Sequence, residues 1–488
     1  MRKPLIVVLS VIFCLALLSP AMTMAGTMEG KISITTSSQD ALNHYLKGRD
    51  LSEKLRGPQA RTEFEKAIAI DPDFALAHLQ LAGVQPTAKG FFYHLDEAVA
   101  LIDKVSDGER MMIQGVRAGA DAKIMKQREI YTLLVKTYPN DERAYNLLGT
   151  NYFGQQDWEK SIDEYKKSTA INPSYSSPYN QMGYAYRFIG DYDSAEKAFK
   201  KYIELIPDDP NPYDSYAELL MKTGRYDESI TYYQKALEVD RTFAASHIGI
   251  ATNLNFMDRH EQARDQLQKM YGMALDDGQR RQAIFATAVS YVDEGMMQEA
   301  LAELDKMHTI AEKINDYAAM AGDLTAMGNI LREDGKPIEA LAKYKTALTQ
   351  IENSNLSPDV KQTARRNFVY NEARVALSRG DVNTAKVKSE EYLTQVKMLN
   401  NPNEVRLAHE LKGMIAIENK DFKTAHASLL KANQQNPDNL YLIAVAYQGQ
   451  GDKKKAKEMC ETAAGFNALN SMNQAFAKHK AKRMLAGM

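Results

Sequence analysis

Three prolines, Pro139, Pro173 and Pro207, stand 34 residues apart, and Arg241 takes the next step. Ser161, Ala195, Ser229 and Ala263 keep the same interval. Two unrelated residue classes locked to one period mean a tandem repeat, and a unit of this length cannot bury its apolar surface alone. Each unit has to stack on its neighbours, which makes an array rather than a globule. The length of 488 residues agrees, because a single core stops growing at ~250–300 residues.

Within each unit two runs of apolar residues follow helical spacing. Between them lies a turn such as Ile189-Gly190-Asp191 or Thr223-Gly224-Arg225, where glycine accepts positive φ. Pro173 and Pro207 mark where the second helix must stop. Gly149 and Gly183 offer no side chain, so a paired helix bearing a small residue such as Ala195 can come close. One unit reads Tyr145-x-x-Leu148-Gly149-x-x-Tyr152, then Ser161-x-x-x-Tyr165, then Pro173. The next reads Tyr179-x-x-Met182-Gly183-x-x-Tyr186, then Ala195-x-x-x-Phe199, then Pro207. A third reads Tyr213-x-x-Tyr216-Ala217-x-x-Leu220, then Ser229-x-x-x-Tyr233. Over residues 142–243 the chain resembles the tetratricopeptide repeat family. The resemblance implies an all-α, right-handed superhelical solenoid of helix–turn–helix repeats.

Outside that block the pattern persists in looser form. Gly48, Ala60, Phe64, Ala67 and Pro72 fill the slots of a first unit, and Pro86 and Gly90 interrupt a second. Downstream, Ala263, Ala300, Ala340, Ala385 and Ala425 are 37, 40, 45 and 40 residues apart, which calls for longer helices or loops. The expected organisation is an N-terminal array over 41–277, most regular over 142–243, a longer-repeat array over 278–466, and an amphipathic capping helix over 467–488. Eleven or twelve units are counted in all. The basic run "KHKAKR" (478–483) is expected on a solvated face of the cap.

The start has the form of a signal peptide over 1–25. Met1-Arg2-Lys3 is basic, Leu5–Leu18 is apolar, and Thr23-Met24-Ala25 offers a small-x-small cleavage pattern. Fourteen apolar residues fall short of the ~20 that span a bilayer. Export to a bacterial periplasm or secretion is therefore expected, followed by a flexible lead over 26–40. Cys14 lies in the leader, so Cys460 stands alone afterwards and no internal disulfide can form. A formal charge of −2 carries none of the basic footprint of a nucleic-acid binder.

Catalytic motifs do not emerge. The nine histidines come no closer than thirteen residues, so neither a metal nor a cofactor is expected. His44, His78, His247 and His409 fall at an interhelix slot. "GQGDKKKAK" (449–457) has its glycines at the turn position and lacks the phosphate-loop spacing. The expected function is a non-enzymatic scaffold for a protein or peptide partner. The alternatives are a structural subunit of a cell-envelope complex and a non-catalytic subunit of an enzyme. An enzymatic site in the irregular stretch 83–138 is a further option.

In the family, partners lie in the concave groove and meet positions two, five, nine, twelve and thirteen of a unit. Carried onto the regular units, the resemblance implies contacts at Arg143, Asn146, Thr150, Asn180, Tyr184, Arg187, Asn211, Asp214 and Glu218. Asn offers both a donor and an acceptor to an extended backbone, and Tyr and Arg are frequent interface anchors. Asp214 and Glu218 stand where a carboxylate clamp would need positive charge. Of the rings in "QMGYAYRFIGDYDSAEKAF" (181–199), Tyr186, Tyr192 and Phe199 take packing slots. Tyr184, beside Arg187, faces the groove.

Overall fold

The computed structural model describes residues 23–24, 30–399 and 401–488. The leader expected over 1–25 lies outside these apart from Thr23 and Met24. Among the described residues there are 25 α-helices, a short 3-10 turn, and one pair of two-residue strands, β1 (Thr23–Met24) and β2 (Thr35–Thr36). The all-α solenoid holds. No helix among them is long and apolar enough to cross a membrane.

The first 24 helices form twelve antiparallel pairs, each packed against the next. The inner members of the first six are α1 (Gln39–Glu53), α3 (Ala75–Gly83), α5 (Asp107–Ala120), α7 (Glu142–Gly154), α9 (Ser177–Phe188) and α11 (Pro210–Lys222). Their outer partners are α2 (Gly57–Ile70), α4 (Ala88–Ala100), α6 (Ile124–Thr137), α8 (Trp158–Ile171), α10 (Tyr192–Leu205) and α12 (Tyr226–Val239). The second six begin with α13 (Ala244–Phe256) and α14 (His260–Met273), then α15 (Asp277–Glu294) and α16 (Met297–Lys313), then α17 (Tyr317–Glu333) and α18 (Pro337–Glu352). They end with α19 (Pro358–Ser378) and α20 (Val382–Leu399), α21 (Pro402–Glu418) and α22 (Phe422–Leu429), and α23 (Pro437–Gly449) and α24 (Lys453–Ala464). The wider spacing downstream comes from longer helices: α15 and α20 have 18 residues and α19 has 21, against 12 to 14 in the regular block. Of "VQPTAKGFF", the proline lies in the turn into α4, and the glycine lies within the first turn of that helix, which Thr87 caps.

Two local devices build each pair. In eleven of the twelve inner-to-outer turns, the residue just before the N-cap of the outer helix has positive φ: a glycine at 190, 224, 295, 335, 380 and 451, and Leu55, Ala122, Gln156, Asp258 and Lys420 elsewhere. The N–H that follows closes on the carbonyl five residues back, as from Asp191 to Tyr186, which satisfies a helix-end acceptor. The second device is a ring seated on a glycine sixteen residues earlier. Tyr165 lies on Gly149, Phe199 on Gly183 and Tyr344 on Gly328, each so close that an added Cβ would meet ring carbons at 2.5–2.6 Å.

The array winds until it meets itself seven units later. Arg61 of the first unit pairs with Asp276, the N-cap of α15, at 3.0 Å. Lys89 of the second donates its backbone N–H to Asp316, the N-cap of α17, at 3.2 Å. In the third, Asp121 accepts from Ser357, the N-cap of α19, and Lys123 pairs with Asp359. In the fourth, the carbonyls of Gly154 and Gln155 accept from Asn403 and Arg406 on α21. Arg56 bridges inward to Asp209 and Asp240. The superhelix is thus closed along a polar seam.

Both ends depart from expectation. Residues 30–38 are a bound strap rather than a flexible lead. The strap runs past the starts of α7, α5 and α3, with Ile32 N–H on Asp141, Thr35 on both oxygens of Glu109 and Thr36 on Asp71. Alternation in "KISIT" sends Ile32 and Ile34 into the adjoining cores and leaves the Thr35 hydroxyl to Glu109. At the other end, α25 (Met472–Ala486) packs on α24 and crosses the C-terminal ends of α13, α15 and α17. Its basic run is solvated only in part: Lys482 and Arg483 are exposed, whereas two of its lysines turn inward. Lys478 is 6% exposed and pairs with Asp293 at 2.8 Å, and Lys480 pairs with Asp438 and Glu333. Burying an ammonium demands such partners.

Gly183→Ala should lower stability by about 1–3 kcal/mol through the clash with Phe199, with helicity retained in the folded state. Denaturant unfolding followed by circular dichroism checks this, and an unchanged midpoint would refute the seating of the ring.

Candidate peptide-binding groove

The nine residues carried over from positions two, five, nine and twelve of the regular units divide into two groups. The first group is interlocked. Arg187 donates to Glu218 Oε1 at 2.6 Å, and Tyr184 donates to Glu218 Oε2 at 2.8 Å. The guanidinium of Arg187 lies 4.9 Å over the Tyr184 ring. Asp214 accepts from Ser246 of the next unit at 2.7 Å, and Asn211 donates to Tyr202 at 2.6 Å. Asn211, Asp214, Glu218 and Arg187 are all buried. Tyr184 and Arg187 are therefore not free contacts as the sequence suggested. Charges taken out of water have to be paired, and the opposite charge sits one unit along, 31 residues away.

Burial dominates the electrostatics of this cluster. It pushes the Asp214 carboxyl up to about 7, with the Glu218 charge adding to the rise and the Ser246 hydrogen bond opposing it. Burial, with Arg187 nearby, pushes the Lys222 ammonium down to about 7, and Glu218 acts against that shift. The Tyr184 hydroxyl is held far above its ordinary range, first by burial and then by Glu218. Lys222 in turn reaches the Phe466 carbonyl, tying the cluster to the segment before α25.

The second group keeps unused hydrogen-bonding capacity. Asn146 and Asn180 occupy the same position of consecutive units, and the Oδ1 of each is buried without a partner. Asn146 Nδ2 donates weakly to Tyr175 at 3.4 Å. Thr150 is exposed. Arg143, by contrast, is held by Glu53 at 2.8 and 3.2 Å and by Glu142 at 2.8 Å, with its guanidinium 4.9 Å over the Tyr175 ring.

Arg143 and Asn146 belong to a cavity of about 450 Å³ that the sequence reading did not anticipate. Its other walls are the strap at 31–34, Tyr45, Arg49 and Glu53 of α1, and Tyr175. A signal for Arg49 was present: aligning Gly48 with Gly149 puts Arg49 at position nine of the first unit, equivalent to Thr150. The strap had no such signal, since its partners lie 34 to 111 residues away.

Of the remaining rings, Phe188 and Phe199 pack. Phe188 stacks on Trp158 at 4.5 Å and meets Phe153 edge-on. Phe199 is buried, whereas Tyr192 is 41% exposed, because the first residue of α10 projects past the turn. Among the described residues one histidine–carboxylate trio, Asp258, His260 and Asp293, lies close enough to hold a cation. The Lys478 ammonium already sits on both aspartates. His247 is satisfied by the Arg241 carbonyl and Gln266, and His44 by Glu63.

Family models described as tetratricopeptide repeat match residues 142–175, 176–209, 210–243 and 437–468. These are α7 to α12, with the turns that join them, and the α23–α24 pair. Repeats of this kind mark a protein-interaction scaffold. No curated protein matches the chain.

The Asp214 shift predicts a pH signature. Its folded value lies above the ~3.9 of an unfolded Asp, so its contribution is most favourable below about pH 4 and is lost as pH rises to about 7. Asp214→Asn removes that titration. Relative to wild type, the variant should gain up to roughly 1.4 kcal/mol per pH unit across this window. Denaturation midpoints at pH 5 and pH 8 measure it, and a difference between variant and wild type that does not change with pH would refute the assignment.

Proposed function

We propose that this chain, a tetratricopeptide repeat protein, is a non-enzymatic scaffold that holds an extended segment of a partner protein in its concave groove, outside the cytoplasmic membrane. The observation that carries the reading is the Asn146–Asn180 step. Two side-chain carbonyls at equivalent positions of consecutive units are buried and unpartnered. Such acceptors are costly to leave empty, and the N–H groups of an extended backbone would satisfy them. Export rests on the basic-apolar start, on Thr23-Met24-Ala25 and on the restriction of cysteine to positions 14 and 460. The envelope-subunit alternative, with the basic tail as its contact, draws no support from Lys478 and Lys480, which are engaged internally.

A photo-crosslinking side chain at Thr150 should capture a partner, while the same probe at Lys197, exposed on the outer helix α10, should not. Asn146→Ala with Asn180→Ala should cut the Thr150 adduct by about tenfold or more, from two lost hydrogen bonds. Adducts formed only at position 197 would move the contact to the convex face and sink the groove reading. For export, N-terminal sequencing of the extracytoplasmic protein should read Gly26-Thr27-Met28, and a chain retaining Met1 would count against cleavage.

A further inference from the structure

We propose that His78 on α3 and His94 on α4 form a two-nitrogen chelating site for a divalent transition cation of the zinc class, which clips the second helix pair together.

Comparison between units isolates the site. His44, His78 and His247 take one position of their units, and each points Nδ1 at the outer helix. In the first pair the partner is a carboxylate, with Glu63 at 2.7 Å from His44. In the seventh it is an amide, Gln266, which donates to His247 at 2.6 Å. Each of these partners complements a ring nitrogen. In the second pair the partner is another imidazole, and the two Nδ1 atoms stand 3.3 Å apart. As a hydrogen bond that contact is long. It matches the ~3.3 Å separation of two nitrogens bound to zinc at ~2.0–2.1 Å across a tetrahedral angle. Imidazole nitrogen is also the ligand type that suits such cations.

The surroundings hold the rings ready for a cation. The Pro72 carbonyl, six residues back, accepts a hydrogen bond from His78, just as the Arg241 carbonyl accepts from Nε2 of His247 at 2.9 Å. With the proton on Nε2, Nδ1 presents its lone pair toward α4. A carbonyl behind the ring is a common support of a metal-bound histidine. Among the described residues no ion pair holds either ring, in contrast to His44, His260 and His308. Glu97, one turn beyond His94 on α4, has no ion pair among them either and places negative charge near His78. It offsets part of the charge of a bound cation. His78 is buried, while His94 is half-buried against the exposed Tyr93 ring, which leaves an approach from solvent. Two protein nitrogens leave further positions to water, so the site is an open clip and not a closed structural centre. Its place gives it a role. α3 is the shortest inner helix, with 9 residues, and α4 carries Lys89, which reaches Asp316 and Ile314 across the seam. A cation shared by the two rings braces that pair.

The experiment titrates Zn2+ by calorimetry into the full-length chain, purified without a histidine tag and treated with chelator. One ion per chain should bind and raise the unfolding midpoint by mass action. The test variant is His94→Gln, which recreates the ring–amide pairing of His247 with Gln266 and so keeps α4 on α3 while removing one ligand. It should bind Zn2+ about tenfold or more weakly and lose the zinc-dependent rise in midpoint, with circular dichroism confirming its fold. His260→Gln should bind as the wild type does. No binding by the wild type, or unchanged binding by His94→Gln, overturns the site. Loss confined to His260→Gln assigns the ion to the Asp258–His260–Asp293 cluster and overturns the site as well.

Discussion

The architecture depends on a division of labour within single carboxylates. Asp276 gives one oxygen to the Gln279 N–H that starts α15 and the other to Arg61 of the first unit. Asp316 does the same with Ala319 and Lys89, and Asp209 with Asn211 and Arg56. A helix needs its first N–H groups satisfied whatever surrounds it. A capping aspartate keeps a second oxygen and a full charge. When the winding brings a basic turn beneath that charge, local capping becomes long-range registration. Each such pair is partly exposed and worth at most about 1 kcal/mol. The seam acts through repetition, four successive units each meeting the unit seven further on, while Arg56 ties the first unit to the sixth.

That offset gives the groove its character. An open superhelix would leave its inner face wet, where polar side chains need no partners. Here inner faces of adjoining units close over one another, and polar groups either find partners or stay unsatisfied. Around α11 most find them, in the Arg187–Glu218–Tyr184 cluster and the Ser246–Asp214 pair, although Asn180 on α9 keeps an unpartnered Oδ1. Around α1 and α7 they do so incompletely, and a cavity remains. The two regions are built from the same repeat positions, so their difference lies in which residues face across, not in the fold.

Much of the fold could be read in the sequence because its rules are local. The 34-residue beat, the glycine turns and the glycine-to-ring spacing lie within one unit, and the stretched spacing downstream called for longer helices or loops. What escaped was long-range. Lys478 meets Asp293 across 185 residues, Arg61 meets Asp276 across 215, and Thr35 meets Glu109 across 74. A run such as "KHKAKR" reads as a solvated face until its counter-ions are placed. The site suffered in the same way. Position-by-position transfer placed Tyr184 and Arg187 on the inner face, yet could not tell that Glu218 would claim both. It also passed over Arg49, whose unit was too irregular to be included.

The uniform corner has a consequence for how such a chain can change. Inner helices range from 9 residues in α3 to 21 in α19, while eleven corners keep one left-handed residue just before the outer N-cap. Variation in length is thus confined to the arms, and the angle at which the chain doubles back is held constant. Insertions of whole helical turns lengthen the arms of a pair and leave the corner that joins them unchanged.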